Sequence, residues 1–300
     1  MNKMHQSAAE EPVFTVVVLV FNQERFVKRC IDGVLMQKTS FLFDVIVHDD
    51  ASTDGTSQII REIQGSDHRV KVIRQEENIY SRGICLFNLI LSIATSRYVA
   101  LVEGDDFWTD PCKLQKQFDL LESEPEMALC IHPVEYVDAD GVSLGRCWPP
   151  HGKDRMSVED FVYGNSACTA SIVYRREFLP EYPGALRGLK LGDWPLCLIL
   201  SSRGTVGVVQ ATMASYRVHS GGVWSTKPLS YTAVETARMW IRLASVFPEL
   251  REVCERGLCR QVSDLAQRIE TGDRRRRSFG TGVHVRARNF WRKCLALAGR

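Results

Sequence analysis

Residues 102–110 read VEGDDFWTD and follow directly on the apolar run YVAL. Glu103, Asp105 and Asp106 lie within four positions of one another. Acids that close repel, and desolvating them at the end of a buried segment is costly unless a positive charge sits among them. A second string of acids and hydroxyls, VHDDASTDGT at 47–56, follows the apolar run FDVIV, and Phe21-Asn22 follows FTVVVLV. Carboxylates gathered at segment ends, rather than spread over helix faces, suit a divalent cation that offsets them and bridges diphosphate oxygens. Two later strings stand apart. LGDWPLC (191–197) holds Asp193 at the start of an apolar helix pattern, where its carboxylate fits an N-cap. SYRVHSGGVWS (215–225) sets His219 beside a Gly-Gly turn, and Gly221-Gly222 would let that loop move.

The elements that must position these residues can be read from periodicity. FTVVVLV (14–20), FDVIV (43–47) and YVALV (98–102) are short apolar runs rich in β-branched residues, as expected of strands buried on both faces; VKVIR (70–74) is a weaker fourth. Between them, ERFVKRCIDGVLMQ (24–37), TSQIIREIQ (56–64) and LFNLILSIA (86–94) read as helices. This alternation predicts an α/β doubly wound, mostly parallel sheet flanked by helices, with ligands beyond the carboxyl ends of the strands. Further along, KLQKQFDLLESEPE (113–126) reads as an amphipathic helix, MALCIHPVEYVD (127–138) as a strand and residues 139–165 as a turn-rich excursion. SACTASIVYRR (166–176) is expected as a strand, DWPLCLILSSRG (193–204) as a helix and TVGVVQATMASYRVH (205–219) as a strand. Residues 228–270 read as helical. His48 and His132 lie in or beside apolar strands and read as core histidines; Asp54 begins a DG turn and is expected to cap the next helix.

Composition narrows the function classes. The chain has 300 residues, a net charge of +2, 45% hydrophobic and 25% charged residues, ordinary values for a globular protein. Residues 271–300 carry nine Lys and Arg against one Asp, about +8, which leaves about −6 on the first 270. The body is therefore no general nucleic-acid binder, whereas the tail fits an anionic surface. Ten cysteines lie scattered without CxxC or CxxH spacing, which argues against structural zinc and a disulfide framework and for a cytoplasmic setting. There is no apolar run long enough for a transmembrane helix, and MNKMHQSAAEEP reads as a flexible lead-in over 1–12 rather than a signal peptide. Neither GxGxxG nor GxxxxGK[ST] follows the first strand, which argues against the common dinucleotide and P-loop sites.

FNQERFVKRCIDGVLMQ, VIVHDDASTDGT and YVALVEGDDFWTDPCKLQKQFDLLE together resemble the family-two inverting glycosyltransferases of the GT-A fold, the last string most closely a bacterial branch with an EGDDFWTDP-type motif. The resemblance covers roughly residues 13–220. It implies a Rossmann-like GT-A domain over 13–227, with a donor half to about 110 and an acceptor half from about 111, and a helical region at 228–300. It implies donor contacts at Phe21, Asn22, Glu24, Asp50, Arg82, Glu103, Gly104 and Asp105, with Asp50 reading the nucleobase and Phe21 packing on it. Glu103-Gly104-Asp105 matches the DxD motif with Glu in first place, so Asp105 would ligate Mn²⁺ or Mg²⁺ and Glu103 would sit near the ribose. Leu19-Val20 depart from the usual Pro-Thr, which removes a threonine hydroxyl contact. The resemblance makes Asp193 the catalytic base, beside its capping role, and His219 a metal or phosphate ligand. Trp194 is either a platform for the acceptor sugar or core, Arg217 a phosphate-side candidate, and Asp106 a second acid near the metal or a turn former.

The implied reaction moves one sugar from a nucleotide-sugar, with UDP the expected carrier, to a hydroxyl of a cell-surface glycan or glycolipid precursor. A QxxRW signature is absent, which favours single transfer over polymerisation. Two other classes compete. A sugar-1-phosphate nucleotidyltransferase also uses metal-bound carboxylates, but brings a glycine-rich basic stretch after strand one, and FNQERF has no glycine. A non-catalytic sugar-nucleotide or glycan-binding module would lack turnover. The tail segment ARNFWRKCLALA (287–298) places Phe290, Trp291 and Leu295 on one helical face and Arg288, Arg292 and Lys293 on the other. Such a helix either lies on an anionic membrane at its cytoplasmic face or packs on the body.

Overall fold

The computed structural model describes residues 11–84, 90, 92–148, 152–181, 186–222, 224 and 227–271. The basic tail helix expected at 287–298, residues 1–10 of the lead-in and most of LFNLILSIA lie outside the described residues. Four strands come first: β1 Phe14–Val20, β2 Phe43–Asp49, β3 Val70–Arg74 and β4 Tyr98–Glu103. They run parallel in the order β3-β2-β1-β4. Helices α1 Val27–Leu35 and α2 Thr56–Ser66 connect β1 to β2 and β2 to β3. β1 is buried on both faces because alternate residues feed separate cores. Val17 joins one cluster with Leu101 and Ile199, whereas Val16 and Val18 join another with Ile31 of α1.

The chain continues through β5 Phe107–Trp108, α3 Lys113–Ser123, β6 Met127–Ile131, β7 Val134–Val137, β8 Ser143–Trp148 and β9 Arg155–Met156. Then come α4 Val158–Val162, β10 Val173–Arg175, α5 Asp193–Ser201, β11 Thr205–Val208 and β12 Ala214–Arg217. The large sheet has the order β3-β2-β1-β4-β10-β6-β11-β9. Only its first half matches the parallel expectation throughout. β10 is antiparallel to both β4 and β6, β11 is parallel to β6, and β9 is antiparallel to β11.

Two segments expected as single strands divide between sheets. MALCIHPVEYVD breaks after Ile131, where Pro133 has no N–H to offer the ladder, and resumes as β7. TVGVVQATMASYRVH bends at Val209–Ala211, where the Ala211 N–H donates to Val209 O at 2.8 Å, and resumes as β12. β7 and β12 pair in parallel within a small sheet of order β5-β12-β7-β8. This sheet holds one side of the acid loop, because β5 follows Asp106 directly. SACTASIVYRR likewise shortens to a 3-10 turn, Thr169–Ser171, ahead of β10.

The C-terminal helices α6 Leu229–Val246 and α7 Arg251–Thr271 pack into the core rather than standing off. Met239, Trp240 and Leu243 of α6 and Val253 and Cys254 of α7 share a buried cluster with Trp194 and Leu196–Leu200 of α5. His48 and His132 are 1% and 0% exposed, and burial lowers the pKa of both, as core histidines require.

Candidate active site

Sheet register sets the level of the site. β1 pairs with β2 up to Val20↔Asp49 and with β4 up to Leu19↔Glu103, so three strands end together. Asp50 N–H donates to Val20 O at 2.9 Å and Gly104 N–H to Leu19 O at 2.8 Å, which carries both loops off the same rim. Gly104 is favoured by close approach: a Cβ there would lie 2.9 Å from Val20 Cγ2 and would displace the Gln23 side chain.

Beyond Gly104 the chain turns and gathers charge. Glu103, Asp105 and Asp106 bring one carboxylate oxygen each within 4.8 Å of one another. Asp106 is buried, and its Oδ1 accepts the Arg217 N–H at 2.9 Å. Arg217 Nε donates to Asp105 O at 2.8 Å and Nη1 to Ala139 O at 2.8 Å. Arg217 therefore latches the acid loop to the small sheet, with Nε and Nη1 directed at backbone carbonyls. His219 Nε2 lies 3.0 Å from Asp105 Oδ2, while His219 Nδ1 accepts the Gly221 N–H at 3.2 Å. That second bond assigns the proton to Nε2, which donates to Asp105. Two buried carboxylate oxygens, Asp105 Oδ1 and Asp106 Oδ2, have no partner. Burial, then the charges of Asp105 and Asp193, push Glu103 up to about 8. Burial, then Asp105 and Glu103, push Asp106 well above the carboxylate range. Unpartnered buried oxygens and suppressed ionisation both report a missing positive charge. An all-oxygen donor set of this kind fits Mg²⁺ or Mn²⁺.

Asp193 faces this loop across Thr169. The Thr169 hydroxyl lies 3.4 Å from Glu103 Oε1 and 3.5 Å from Asp193 Oδ2. Asp193 Oδ2 accepts Asn165 Nδ2 at 2.7 Å, and Oδ1 accepts the Trp194 N–H at 2.8 Å. Burial raises its pKa, and these hydrogen bonds oppose the rise. It is the first residue of α5 rather than the cap, which is Gly192. The capping expectation thus survives only as the bond to Trp194 N–H.

Several expected donor contacts hold the loops together instead. Asn22, at φ +51°, accepts Thr53 N–H on Oδ1 at 2.8 Å and donates its own N–H to Ser52 Oγ at 2.9 Å. Glu24 Oε2 accepts Gly55 N–H at 2.9 Å, at the start of α2, and Asp54 Oδ1 accepts Thr56 N–H at 3.0 Å there. Asp50 is 4% exposed, and its carboxylate accepts the N–H groups of Ile79 (2.7 Å) and Tyr80 (3.1 Å), tying the 78–80 turn to the rim. Phe21 stands 41% exposed at the end of β1, open to a ligand. Arg82 is exposed and ion-paired with Glu77, while Lys190, half-buried, donates to Tyr80 O at 2.6 Å. Of the two readings of Trp194, the acceptor platform gives way to the core: it is 7% exposed, donates Nε1–H to Phe161 O at 2.8 Å and meets Trp240 edge-on at 5.3 Å. Asn165 and Thr169 were missed. Asn165 ends the stretch read as a turn-rich excursion, and Thr169, read as part of a strand, lies instead in the 3-10 turn Thr169–Ser171.

Comparison with known proteins places this geometry. Residues 15–182 match the family Glycosyl transferase family 2. An uncharacterized protein of Mycobacterium tuberculosis is 36% identical over 212 residues, 70% of this chain, and the match spans 60% of that relative's length. The putative teichuronic acid biosynthesis glycosyltransferase TuaG of Bacillus subtilis is 26% identical over 72% of this chain and 83% of its own. S. aureus TarS, solved in complex with UDP-GlcNAc, superposes with a TM-score of 0.59 at 18% identity, covering 83% of this chain and 71% of that one. The mannosyltransferase PcManGT of Pyrobaculum calidifontis, solved with GDP-Man and Mn²⁺, gives 0.52 at 16% identity, covering 97% and 82%. The fold is that of the GT-A glycosyltransferases.

Proposed function

Because this chain belongs to glycosyl transferase family 2, we propose that it moves one sugar from a nucleotide-sugar to an acceptor hydroxyl, with inversion at the anomeric carbon. The observation that carries this reading is the pair of unpartnered buried oxygens on Asp105 and Asp106, in a loop whose Glu103 shares the Thr169 hydroxyl with Asp193. Asp105, oriented by His219, and Asp106, oriented by Arg217, would hold a divalent cation. A cation bound there supplies positive charge to a departing diphosphate. Glu103 and Phe21 border the donor, on the ribose and base sides, and Asp50 acts through the 78–80 turn that it anchors. Asp193 removes the acceptor proton as the hydroxyl attacks in line. The names of TarS and PcManGT, with their UDP-GlcNAc and GDP-Man complexes, support a nucleotide-sugar donor. UDP is the first carrier to test, and a cell-surface glycan or glycolipid precursor is the acceptor class that the name of TuaG supports.

No helix among the described residues is long and apolar enough to cross a membrane. We place the protein at the cytoplasmic membrane face through residues 271–300. Loss of co-sedimentation with anionic liposomes on deleting that segment is the expected result, and unchanged sedimentation refutes the placement. The test of function is calorimetry of UDP with Mn²⁺, Mg²⁺ or EDTA, on wild type and Asp105→Asn, followed by a nucleotide-sugar screen. Metal-dependent binding lost in the variant, with turnover lost in Asp193→Asn, is expected. Absence of binding by UDP, GDP and dTDP alike defeats the donor reading; binding without any turnover leaves a binding module.

A further inference from the structure

The polar network around Asp193 reaches a residue that the catalytic reading does not use, and the role of that residue rests on Asp193 being the base. Asn165 Nδ2 donates to Asp193 Oδ2 at 2.7 Å. Its amide cannot turn over, because Asn165 Oδ1 accepts the Ala167 N–H at 3.2 Å. Its backbone is held as well: Trp148 Nε1 donates to Asn165 O at 3.0 Å. Trp148 ends β8, stacks on Tyr136 of β7 at 5.6 Å and 9°, and meets Tyr216 of β12 edge-on at 5.3 Å. Tyr216 precedes Arg217, which holds the acid loop. The small sheet therefore carries both the loop at 103–106 and the clamp on Asp193.

The lone pairs of Asp193 can be followed one by one. Each carboxylate oxygen offers two. Oδ2 receives the Asn165 amide and faces the Thr169 hydroxyl at 3.5 Å. Oδ1 receives the Trp194 N–H and no side-chain donor among the described residues, and the backbone N–H of Asp193 also acts on the carboxylate. We propose that Asn165 is a positioning residue that locks the Asp193 carboxylate, making Oδ1 the atom that accepts the proton of the sugar acceptor. In that step the acceptor O–H bond breaks and its proton passes to Oδ1. The acceptor oxygen uses the freed electron pair to bond the anomeric carbon. The bond from that carbon to the diphosphate oxygen breaks, and the diphosphate leaves with the pair. The titratable groups that sense the Asp193 charge are Glu103 at the end of β4, Tyr80 in the 78–80 turn, Cys168 before the 3-10 turn and Cys197 on α5.

The test compares wild type, Asn165→Ala, Asn165→Asp and Asp193→Asn, using the nucleotide-sugar and acceptor that turn over in the screen. Values of kcat and KM are measured from about pH 5 to pH 9. Loss of one hydrogen bond to the ionised carboxylate should move the acid limb of kcat upward by about one pH unit in Asn165→Ala and cut kcat by up to about tenfold at the acid end of the range, with donor KM within about twofold. Asn165→Asp keeps the side-chain size and the acceptor for Ala167 N–H, so a merely structural role would survive it. It sets a second carboxyl against Oδ2, and the acid limb should move further than in Asn165→Ala. A wild-type profile in Asn165→Asp overturns the proposal, as does a change in KM without movement of the acid limb. Should Asn165→Ala fail to fold, the isosteric variant carries the test. Wild-type kcat in Asp193→Asn shows instead that Asp193 is not the base, and the proposal falls with that reading.

Discussion

Glu103→Gln tests the electrostatics of the acid loop without any substrate. Burial and the charges of Asp105 and Asp193 lift Glu103 from 4.5 to about 8. At about 1.4 kcal/mol per pH unit, that interval sets a ceiling of about 5 kcal/mol on the free energy involved. Glu103 borders the cleft, where water and local relaxation reduce this to about 1–3 kcal/mol. The sign follows from proton uptake. An acid whose folded pKa lies above its unfolded value binds more protons in the folded state, so its contribution is complete below about pH 4.5 and is lost as pH rises through about 8. Glutamine cannot ionise, and its amide fills the same space beside Thr169.

In EDTA, Glu103→Gln should match wild type near pH 5 and exceed it near pH 9 by about 1–3 kcal/mol, or roughly 2–10 °C in Tm for a chain of this size. Urea or thermal unfolding followed by circular dichroism at the two pH values measures the difference. Excess Mn²⁺ should close the gap at pH 9, because the cation removes the repulsion that glutamine removes. A variant no more stable than wild type at pH 9 in EDTA refutes the claim that the three acids strain the folded loop.

Three further outcomes are expected. Gly33→Ala sets a Cβ on α1 at 2.8 Å from Trp108 O, a backbone atom with nowhere to move; the clash, about 1–3 kcal/mol, should outweigh the ~1 kcal/mol gain in helix propensity and lower the urea midpoint. His219→Gln removes the ring that orients Asp105 at 3.0 Å and should weaken Mn²⁺ binding about 10-fold to 100-fold by calorimetry. Asp50→Asn withdraws one of the two acceptors that hold Ile79 and Tyr80 N–H, so amide exchange at 78–81 should quicken while exchange in β1 and β4 stays unchanged.

What could be read from residue order alone was whatever depends on local period and on where apolar runs stop. β1, β2 and β4 announce themselves because both faces are buried, and once they pair in parallel their ends must align, which brings Asp49-Asp50 and Glu103 to one rim. Pro133 also stands in plain view, yet a proline says only that a ladder ends, not that the chain leaves for a second sheet. The remaining misses are choices of partner. Trp194 suits a sugar platform or a core equally well by type, and what decides is Trp240 arriving from α6 to cover its edge. Asn22 and Glu24 sit where donor contacts were expected, but their nearest unsatisfied groups are backbone N–H donors 31 residues on, in a loop brought alongside by the β1–β2 register. Asn165 reaches Asp193 across 28 residues and Arg217 reaches Asp106 across 111, each through the small sheet. A carboxylate's role is therefore set by which donors reach it first. Asp50 and Asp106 are both buried acids at strand ends, but two N–H groups complete the first, and the second keeps an oxygen for a ligand.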